Sequence, residues 1–485
     1  MNVRANDSRG PLELQATSSG LSLSRDAVGD VHVEYDVASS GDAGAVLVLS
    51  DRFAGAGEDL LLLPDGLDAV AVAATVTIDG DAIRAAKMAS CLGVGATRTA
   101  TRIGRFLRRC NFVAGSLGTA VFDAAEGHDE AAWLGYTAFD PRAVAGELAQ
   151  VRTELGDFFR TGHDVPMTYL LVAEARSTGD FRASARAESV FVRLGPSEAW
   201  GAPLRIAVAQ QLMHAWIGGV LWVGPTDPEH EAESVWFVDG VARFLTTRLL
   251  RTYGLLDPAE LTAEVVEEAA EQATSPFRGQ SNAAVAAHVD LPGARADLVA
   301  RGALYAALVD ARVKSATKGK RSLQRVVQEL YAQASASGKP LPVSSWLAAL
   351  QADLGDEAAR LHQRFDSGAE ITLPDDALGA CYRAASMRFA RFDLGYDARA
   401  TDAARPHAVA ALEPGGPAAR AGLREGDVVE SADFKEGRAD VPVKIAVTRA
   451  GAAMKLEYLP RGAERPGQGW TRIARVPVDR CGEAP

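Results

Sequence analysis

The chain has 485 residues, of which 47 % are hydrophobic and 24 % charged, as in ordinary globular proteins, and this length predicts about two to four domains. The formal net charge of −12 at pH 7 argues against nucleic acid as a partner, since a phosphate backbone would repel the chain on average. No apolar run reaches the ~18 residues that a membrane span needs, because the longest candidate, Ala215 to Pro225, is short and contains glycines.

The first part of the chain, residues 1–150, has the pattern of β-strands. From Val31 to Val37 apolar residues occupy the odd positions and polar residues the even ones, the period of a half-buried strand. Ala69 to Ile78 is a further run rich in β-branched residues. These patterns predict an N-terminal domain that resembles a β-sandwich.

The middle part, residues 151–375, has the pattern of long helices. Ala202 to Ile217 is a helix candidate that ends at two glycines, and Trp236 to Tyr253 carries one apolar stripe. Arg301 to Val313 predicts another helix. A mostly helical second domain is expected.

The last part, residues 376–485, is predicted to be a compact β-rich domain. Its most informative stretch, Gly416 to Asp427, reads GPAARAGLREGD. A helix that begins near Pro417 and ends at Gly422, followed by a Gly-Asp turn into a strand, fits this spelling.

The four cysteines indicate the compartment. Cys91 and Cys110 lie in one β-rich stretch, while Cys381 and Cys481 bracket the last domain. Two disulfides and an oxidising compartment are expected, with four buried free thiols as the alternative. No leader is visible after Met1, which fits either a cytosolic protein or a chain whose leader was removed. The cysteines favour an extracytoplasmic location: periplasmic, envelope-associated or secreted.

The GPAARAGLREGD stretch resembles the PDZ-like domains of bacterial proteases. Upstream, Leu394, Gly395 and Tyr396 fit the loop in which such domains hold a peptide carboxylate with backbone N–H groups. The resemblance implies that the partner is a protein C-terminus or an exposed strand.

The middle part resembles the glycyl aminopeptidase family of thermolysin-like zinc metallopeptidases (gluzincins). The similarity lies in Ala300 to Val327, in Met213-His-Ala-Trp216 and in Trp236-Phe-Val-Asp-Gly240. It implies an α+β multidomain fold with a β-sandwich-like domain, a thermolysin-like helical domain and a PDZ-like domain.

Such a peptidase needs an HExxH helix, in which two histidines bind zinc and the glutamate activates water, and a further glutamate ligand on the next helix. Here Gln210 replaces the first histidine, Gln211 replaces the general base, and Asp239 replaces the later glutamate. A tyrosine expected before Arg301 is missing, and Val299 stands there. Only His214 matches, so no zinc cofactor is expected.

Several alternatives remain open. His214 is equally consistent with a core histidine, and the segment around it with an ordinary apolar helix. A new metal site built from Glu229, His230, Glu231 and Glu233 competes with a solvated charged loop. Glu188 falls near the family's substrate loop and is a candidate contact for a peptide amino terminus, or else a surface glutamate.

The sequence thus predicts a catalytically degenerate peptidase-like protein that binds peptides or protein termini through a residual cleft and a PDZ domain. Whether it is an enzyme stays open, with the residues favouring the negative answer. The alternative is an active zinc-dependent aminopeptidase with an altered metal site. A third interpretation is a purely structural module with a filled cleft.

Overall fold

A computed structural model describes residues 3–17, 20–37, 46–49, 51–79, 87–124, 127–135, 137–161, 167–174, 176, 179–435, 437–476 and 481. The chain divides into two compact units. The first comprises Met1–Gly146, Asp164–Ala175 and Ser184–Pro196; the second comprises Glu147–His163, Arg176–Ala183 and Ser197–Pro485.

The first unit is built mainly from short strands. They are β1 (Val3–Asp7), β2 (Gly10–Leu12), β3 (Leu14–Ala16), β4 (Leu21–Leu23), β5 (His32–Tyr35), β6 (Leu47–Leu49), β7 (Arg52–Ala56), β8 (Ala71–Thr77), β9 (Met88–Ser90), β10 (Gly93–Gly95), β11 (Thr97–Ile103), β12 (Asn111–Gly115), β13 (Gly118–Ala124), β14 (Gly127–Leu134), β15 (Thr168–Ala173) and β17 (Ser189–Leu194). Short helices α1 (Gly57–Leu60) and α2 (Gly104–Arg108) and a 3-10 turn (Leu67–Ala69) lie between them. The division into units falls within helix α3 (Pro141–Phe159) and strand β16 (Arg182–Arg186).

Two sheets of this unit share one hydrophobic core. One has the order β10-β9-β12-β7-β6, and in the other β13-β14-β15-β17 run side by side, with β14, β15 and β17 parallel. Buried residues from both sheets meet in one cluster: Leu47, Ala54, Ala89, Val113, Ala132, Leu134, Leu170, Val172 and Phe191. The inward-facing apolar residues of two packed sheets are what a sandwich core requires.

Both predicted disulfides are present. Cys91 and Cys110 are joined with a Cα–Cα distance of 5.4 Å. Cys381 and Cys481 are joined with a Cα–Cα distance of 5.3 Å, which closes the last part of the chain into a loop. The alternative of four free thiols is wrong.

The second unit begins with helices. They are α4 (Ala202–Met213), a 3-10 turn (Glu231–Ser234), a π-helical turn (Trp236–Val241), α5 (Ala242–Thr252), α6 (Pro258–Thr274), α7 (Asn282–Ala286), α8 (Ala294–Thr317), α9 (Leu323–Ser337), α10 (Val343–Leu354) and α11 (Glu357–Asp366). The helix predicted to reach Ile217 stops at Met213, because the N–H groups of Ala215 and Trp216 bond three residues back in tighter turns. The helix predicted to begin at Trp236 opens as a π turn and becomes α-helical at Ala242.

Helix α8 is the centre of the helical region. Its small residues allow close packing, and aromatic side chains surround its middle turn. The Tyr305 ring stacks on Phe365 at 4.2 Å between centroids, and Trp236 and Trp346 pack edge-on within 6 Å of each other. This core fixes the elements that carry the candidate site.

The C-terminal part belongs to the same compact unit. It contains β18 (Tyr382–Phe392), α12 (Ala398–Ala403), α13 (Pro417–Arg420), β19 (Val428–Asp433), β20 (Val443–Arg449), β21 (Ala452–Tyr458) and β22 (Arg461–Arg472). Strands β19, β20 and β21 form one antiparallel sheet, and β18 pairs with β22 in a long ribbon. The ribbon lies against α6, where Gly467 approaches Ala273 closely. As predicted, the short helix begins at Pro417 and is followed by Gly422 in a left-handed conformation.

In the described part of the chain, no helix combines the length and the apolar character required to cross a membrane.

Candidate active site

Gln210 and His214 lie at the C-terminal end of α4. Gln210 is buried, and its side-chain amide donates to the main-chain oxygen of Asp239 at 3.1 Å. His214 follows the helix, with Nδ1 3.2 Å from the Ile217 carbonyl and Nε2 3.3 Å from Oδ1 of Asp239. Both ring nitrogens therefore face acceptor oxygens, and the amide of Gln210 is used to hold the neighbouring backbone.

Asp239 is held on both sides. Its carboxylate, whose side chain is 10 % exposed, faces His214 through Oδ1 and accepts from the Arg295 guanidinium through Oδ2. Arg295 lies in the first turn of α8, and such a charge-assisted contact is among the stronger kinds of hydrogen bond. The positive charge beside Asp239 is thus supplied by the protein itself.

Arg295 was not among the residues predicted from the sequence. It stands 56 residues from Asp239 and belongs to none of the matched motifs. An arginine near a helix start is an unremarkable surface residue by composition, and nothing in its neighbours predicts the contact.

Glycines bring the π turn against α8. A Cβ on Gly302 would lie 2.1 Å from the carbonyl oxygen of Trp236, and one on Gly240 would lie 2.7 Å from the Cα of Gly302. Only glycine at both positions permits this backbone-to-backbone approach. The approach holds the turn that carries Asp239 against α8, the helix that carries Arg295.

Gln211 and Val299 occupy the predicted general-base and tyrosine positions. Gln211 is partly exposed on α4, and its amide is not a base near neutral pH. Val299 is partly buried and packs against the cluster that contains Val235 and Leu298. An alkyl side chain at this position donates no hydrogen bond to an oxyanion.

A zinc ion does not fit this donor set. Tetrahedral zinc sites use at least three His, Cys, Asp or Glu ligands, and His214 and Asp239 are two. Among the described residues, no group of three or more such side chains is placed to hold a metal ion. In the charged loop, His230 bonds instead to Asp227 at 2.6 Å, and this contact raises the pKa of the exposed imidazole.

Glu188 lies in the first unit, in the turn between β16 and β17. Ala187 and Glu188 both have left-handed backbone conformations, with φ of 48° and 58°, which are uncommon for residues other than glycine. The Glu188 carboxylate accepts from Arg102 at 3.0 Å. It is therefore paired within its own unit.

The predicted carboxylate loop packs against the core of the C-terminal part. Leu394 and Tyr396 pack against the cluster around Val443 and Ile445, and burial raises the pKa of Tyr396 to about 12. Gly395 has φ of 76°, and its N–H donates to Oδ1 of Asp393 at 2.9 Å. The sequence analysis did not anticipate that a carboxylate of the chain itself binds this N–H.

A cavity of about 270 Å³ opens beside Tyr396, between α12 and β19. Thr401, His407, Val429 and Phe434 also line it. Strand β19 is at the edge of its sheet, so its outer side is available for pairing over most of its length.

The comparisons with known proteins agree with the fold. The chain is similar to the crystal structure of an aminopeptidase N family protein from Idiomarina loihiensis, with a TM-score of 0.70 and 16 % identity over 99 % of this chain and 91 % of that one. This likeness establishes a shared fold.

Two other solved structures are less similar. They are an M1 zinc metallopeptidase from Deinococcus radiodurans (TM-score 0.45, 16 % identity, 77 % of this chain and 84 % of that one) and a yeast LTA4 hydrolase in complex with bestatin (TM-score 0.44, 10 % identity, 77 % and 61 %). Scores this low add nothing to the assignment. No family model matches the sequence. A search of curated proteins finds no match either.

Proposed function

We propose that this protein is a catalytically inactive, peptidase-like protein that binds peptides or protein termini without hydrolysing them. In this proposal residues 1–150, 151–375 and 376–485 are a β-sandwich-like, a thermolysin-like and a PDZ-like domain, and the location is extracytoplasmic. The two disulfides support that location, since such bonds persist in oxidising compartments.

One observation carries the proposal: the Asp239 carboxylate is neutralised by Arg295 and not left for a metal ion. The guanidinium occupies one carboxylate oxygen, and its positive charge lowers the attraction of the carboxylate for a second cation. Gln210 and Gln211 remove a ligand and a base from the same helix. A lost general base alone lowers the rate by roughly 10²–10⁴.

Peptide binding by the C-terminal part is supported by the edge strand β19 and the cavity beside Tyr396. An extended peptide that adds to β19 would gain main-chain hydrogen bonds, and the cavity would receive one side chain. In this proposal the loop at the end of the peptide-binding surface is formed by Leu394, Gly395 and Tyr396. Separately, Glu188 of the first unit remains the proposed contact for a peptide amino terminus.

The proposal is tested by incubating the purified chain with dipeptides and aminoacyl-anilides, with and without added zinc. No release of the N-terminal residue above the rate of a His214→Ala, Asp239→Ala control is expected. Zinc-dependent and chelator-sensitive release by the natural chain alone would refute it.

The second candidate is an active zinc aminopeptidase with an altered metal site. The separation of 3.3 Å between Nε2 of His214 and Oδ1 of Asp239 favours it, because two ligands of one tetrahedral zinc ion stand roughly 3.4 Å apart. This candidate requires Asp239 to bind zinc through Oδ1 beside the positive charge of Arg295, and further ligands to be recruited. The same hydrolysis assay distinguishes it from the first.

A further inference from the structure

A cavity in the second unit lies between helices and the C-terminal part. It has a volume of about 760 Å³ and is bounded by α6, the first turns of α8, the β18–β22 ribbon and the segment after β19. Arg295 and Val299 are in its wall, so it borders the candidate active site. Its volume lies in the range of small-molecule sites.

Most charged side chains in the wall are already paired. Arg243 pairs with Glu264 and Glu268, and Arg388 pairs with Glu464 at 2.9 Å. Arg438 is shared between Glu267 and Asp440, at 2.6 and 2.7 Å. These pairs leave little net charge to attract a ligand of one sign.

Glu271 is the exception on the acidic side. Its side chain is partly exposed in the cavity wall, and no described residue is seen to form a hydrogen bond or an ion pair with its carboxylate. Asp297 lies nearby, and partial burial together with the repulsion of Asp297 raises the pKa of Glu271. A partly desolvated carboxylate without a partner is costly to ionise, and a cation bound beside it would lower that cost.

Two cations of the wall form no close ion pair among the described residues. The Nζ of Lys435 lies 5.9 Å from the ring of Phe181. Arg438, the close partner of Asp440, lowers the pKa of that carboxyl, and the charge of Lys435 helps to lower it. Arg461 has only a long contact, 3.4 Å, from its Nε to the Ala439 carbonyl. The cavity wall therefore contains Glu271 and two cations without a close ion pair, and apolar side chains such as Val266 and Phe389 also line it.

We propose that this cavity binds a short peptide with free ends, whose ammonium group pairs with Glu271 and whose carboxylate is held by Lys435 and Arg461. The inference rests on the proposed function and deepens it, since it names a small zwitterion as the ligand class and gives it a place beside the inactive site. The apolar wall selects for aliphatic side chains.

The probe is L-leucyl-L-leucine, titrated calorimetrically into the full chain. Glu271→Gln keeps the shape of the side chain and removes its charge, and it is expected to weaken binding at least tenfold. The matched control is Glu457→Gln, at an exposed position of β21 outside the cavity wall, which should bind as the natural chain does.

Two modified probes separate the ends of the ligand. N-acetyl-leucyl-leucine lacks the ammonium group, so the natural chain should bind it at least tenfold more weakly than leucyl-leucine. Glu271→Gln should bind this acetylated probe with the same affinity as the natural chain does. Leucyl-leucinamide lacks the carboxylate, and a Lys435→Gln, Arg461→Gln variant should bind it as tightly as it binds leucyl-leucine. Absence of heat with the natural chain, or equal affinity in Glu271→Gln, overturns the inference.

The same samples are checked by mass spectrometry for free leucine. Release of leucine would refute the proposed function, whatever the titration shows. Intact dipeptide without binding would refute the cavity assignment alone.

Discussion

Asp239 and Arg295 join the π turn Trp236–Val241 to the first turn of α8 through a carboxylate–guanidinium contact. In a zinc peptidase of this design the corresponding carboxylate would face a divalent cation. Here the cation is a side chain of the same protein. The pair therefore ties the π turn, which carries the predicted third ligand position, to α8, which carries none of the predicted ligand positions.

Restoring the zinc ligands should require removal of Arg295. A Gln210→His, Gln211→Glu, Asp239→Glu variant supplies the missing groups, yet Arg295 remains to compete for the new carboxylate. Adding Arg295→Ala is expected to tighten zinc binding at least tenfold in a calorimetric titration of metal-free protein.

The matched control for this change is Arg312→Ala, which removes another partly exposed arginine of α8 from a surface pair with Glu357. It should leave zinc affinity unchanged. Equal zinc affinity of the restored variant with and without Arg295 would show that the guanidinium does not weaken zinc binding.

Gly302→Ala should destabilise the protein. In an exposed helix interior the change from glycine to alanine stabilises by roughly 1 kcal/mol, but here the new methyl group would meet the Trp236 carbonyl at 2.1 Å. Overpacking of this kind typically costs about 1–3 kcal/mol, and urea unfolding measures it. An unchanged or increased free energy of unfolding in Gly302→Ala would contradict the close approach of α8 and the π turn.

The stability of the second unit should fall as pH rises from about 4.5 to 7. Burial, opposed by Arg243, raises the pKa of Glu268 to about 7, and burial with the repulsion of Asp297 raises that of Glu271 to about 7. Both glutamates then bind more protons in the folded than in the unfolded chain across this window, so the free energy of unfolding decreases with pH. Each contributes on the order of 1–3 kcal/mol, a contribution present at pH 4.5 and lost above 7.

Glu271→Gln tests this linkage by urea unfolding at pH 5, 6, 7 and 8. The variant should show a shallower decline than the natural chain, while Glu357→Gln, at a partly exposed position, should not. A decline of unchanged slope in Glu271→Gln would mean that this carboxylate is not desolvated.

Gly395→Ala should cost more stability than Gly451→Ala. Both glycines have left-handed conformations, with φ of 76° and 82°, so both substitutions carry a similar backbone penalty. At Gly395 the added Cβ would also meet the Ala418 nitrogen at 2.9 Å, whereas nothing lies within 4 Å at Gly451. The difference between the two losses, from urea unfolding, measures the packing of the loop Leu394–Tyr396. Equal losses would contradict the tight loop.

Local chemistry made much of the C-terminal part predictable. Pro417 fixes the start of its helix, and Gly422 and Gly426 supply the left-handed turns that follow, so residue type and position were enough. The same holds for the two disulfides, since cysteines near the ends of one compact segment have few other partners. The resemblance placed Gln210, His214 and Asp239 at the three metal positions, and in the structure these residues contact one another.

What the sequence could not supply depends on contacts between distant segments. Arg295 contacts Asp239 because Gly240 and Gly302 allow the π turn and α8 to pack backbone against backbone. Neither glycine predicts that an arginine of α8 will pair with Asp239. Similarly, Glu271 differs from the other glutamates of α6 only in lacking a partner, a property of the folded surroundings. The π turn at Trp236 also escaped prediction, because its apolar stripe is compatible with an ordinary helix.

Zinc titration of the metal-free natural chain, with His214→Ala in parallel, measures whether the candidate site binds a metal ion. We expect no tight stoichiometric site and indistinguishable isotherms for the two proteins. One equivalent of zinc bound with submicromolar affinity by the natural chain, and lost in His214→Ala, would contradict this expectation.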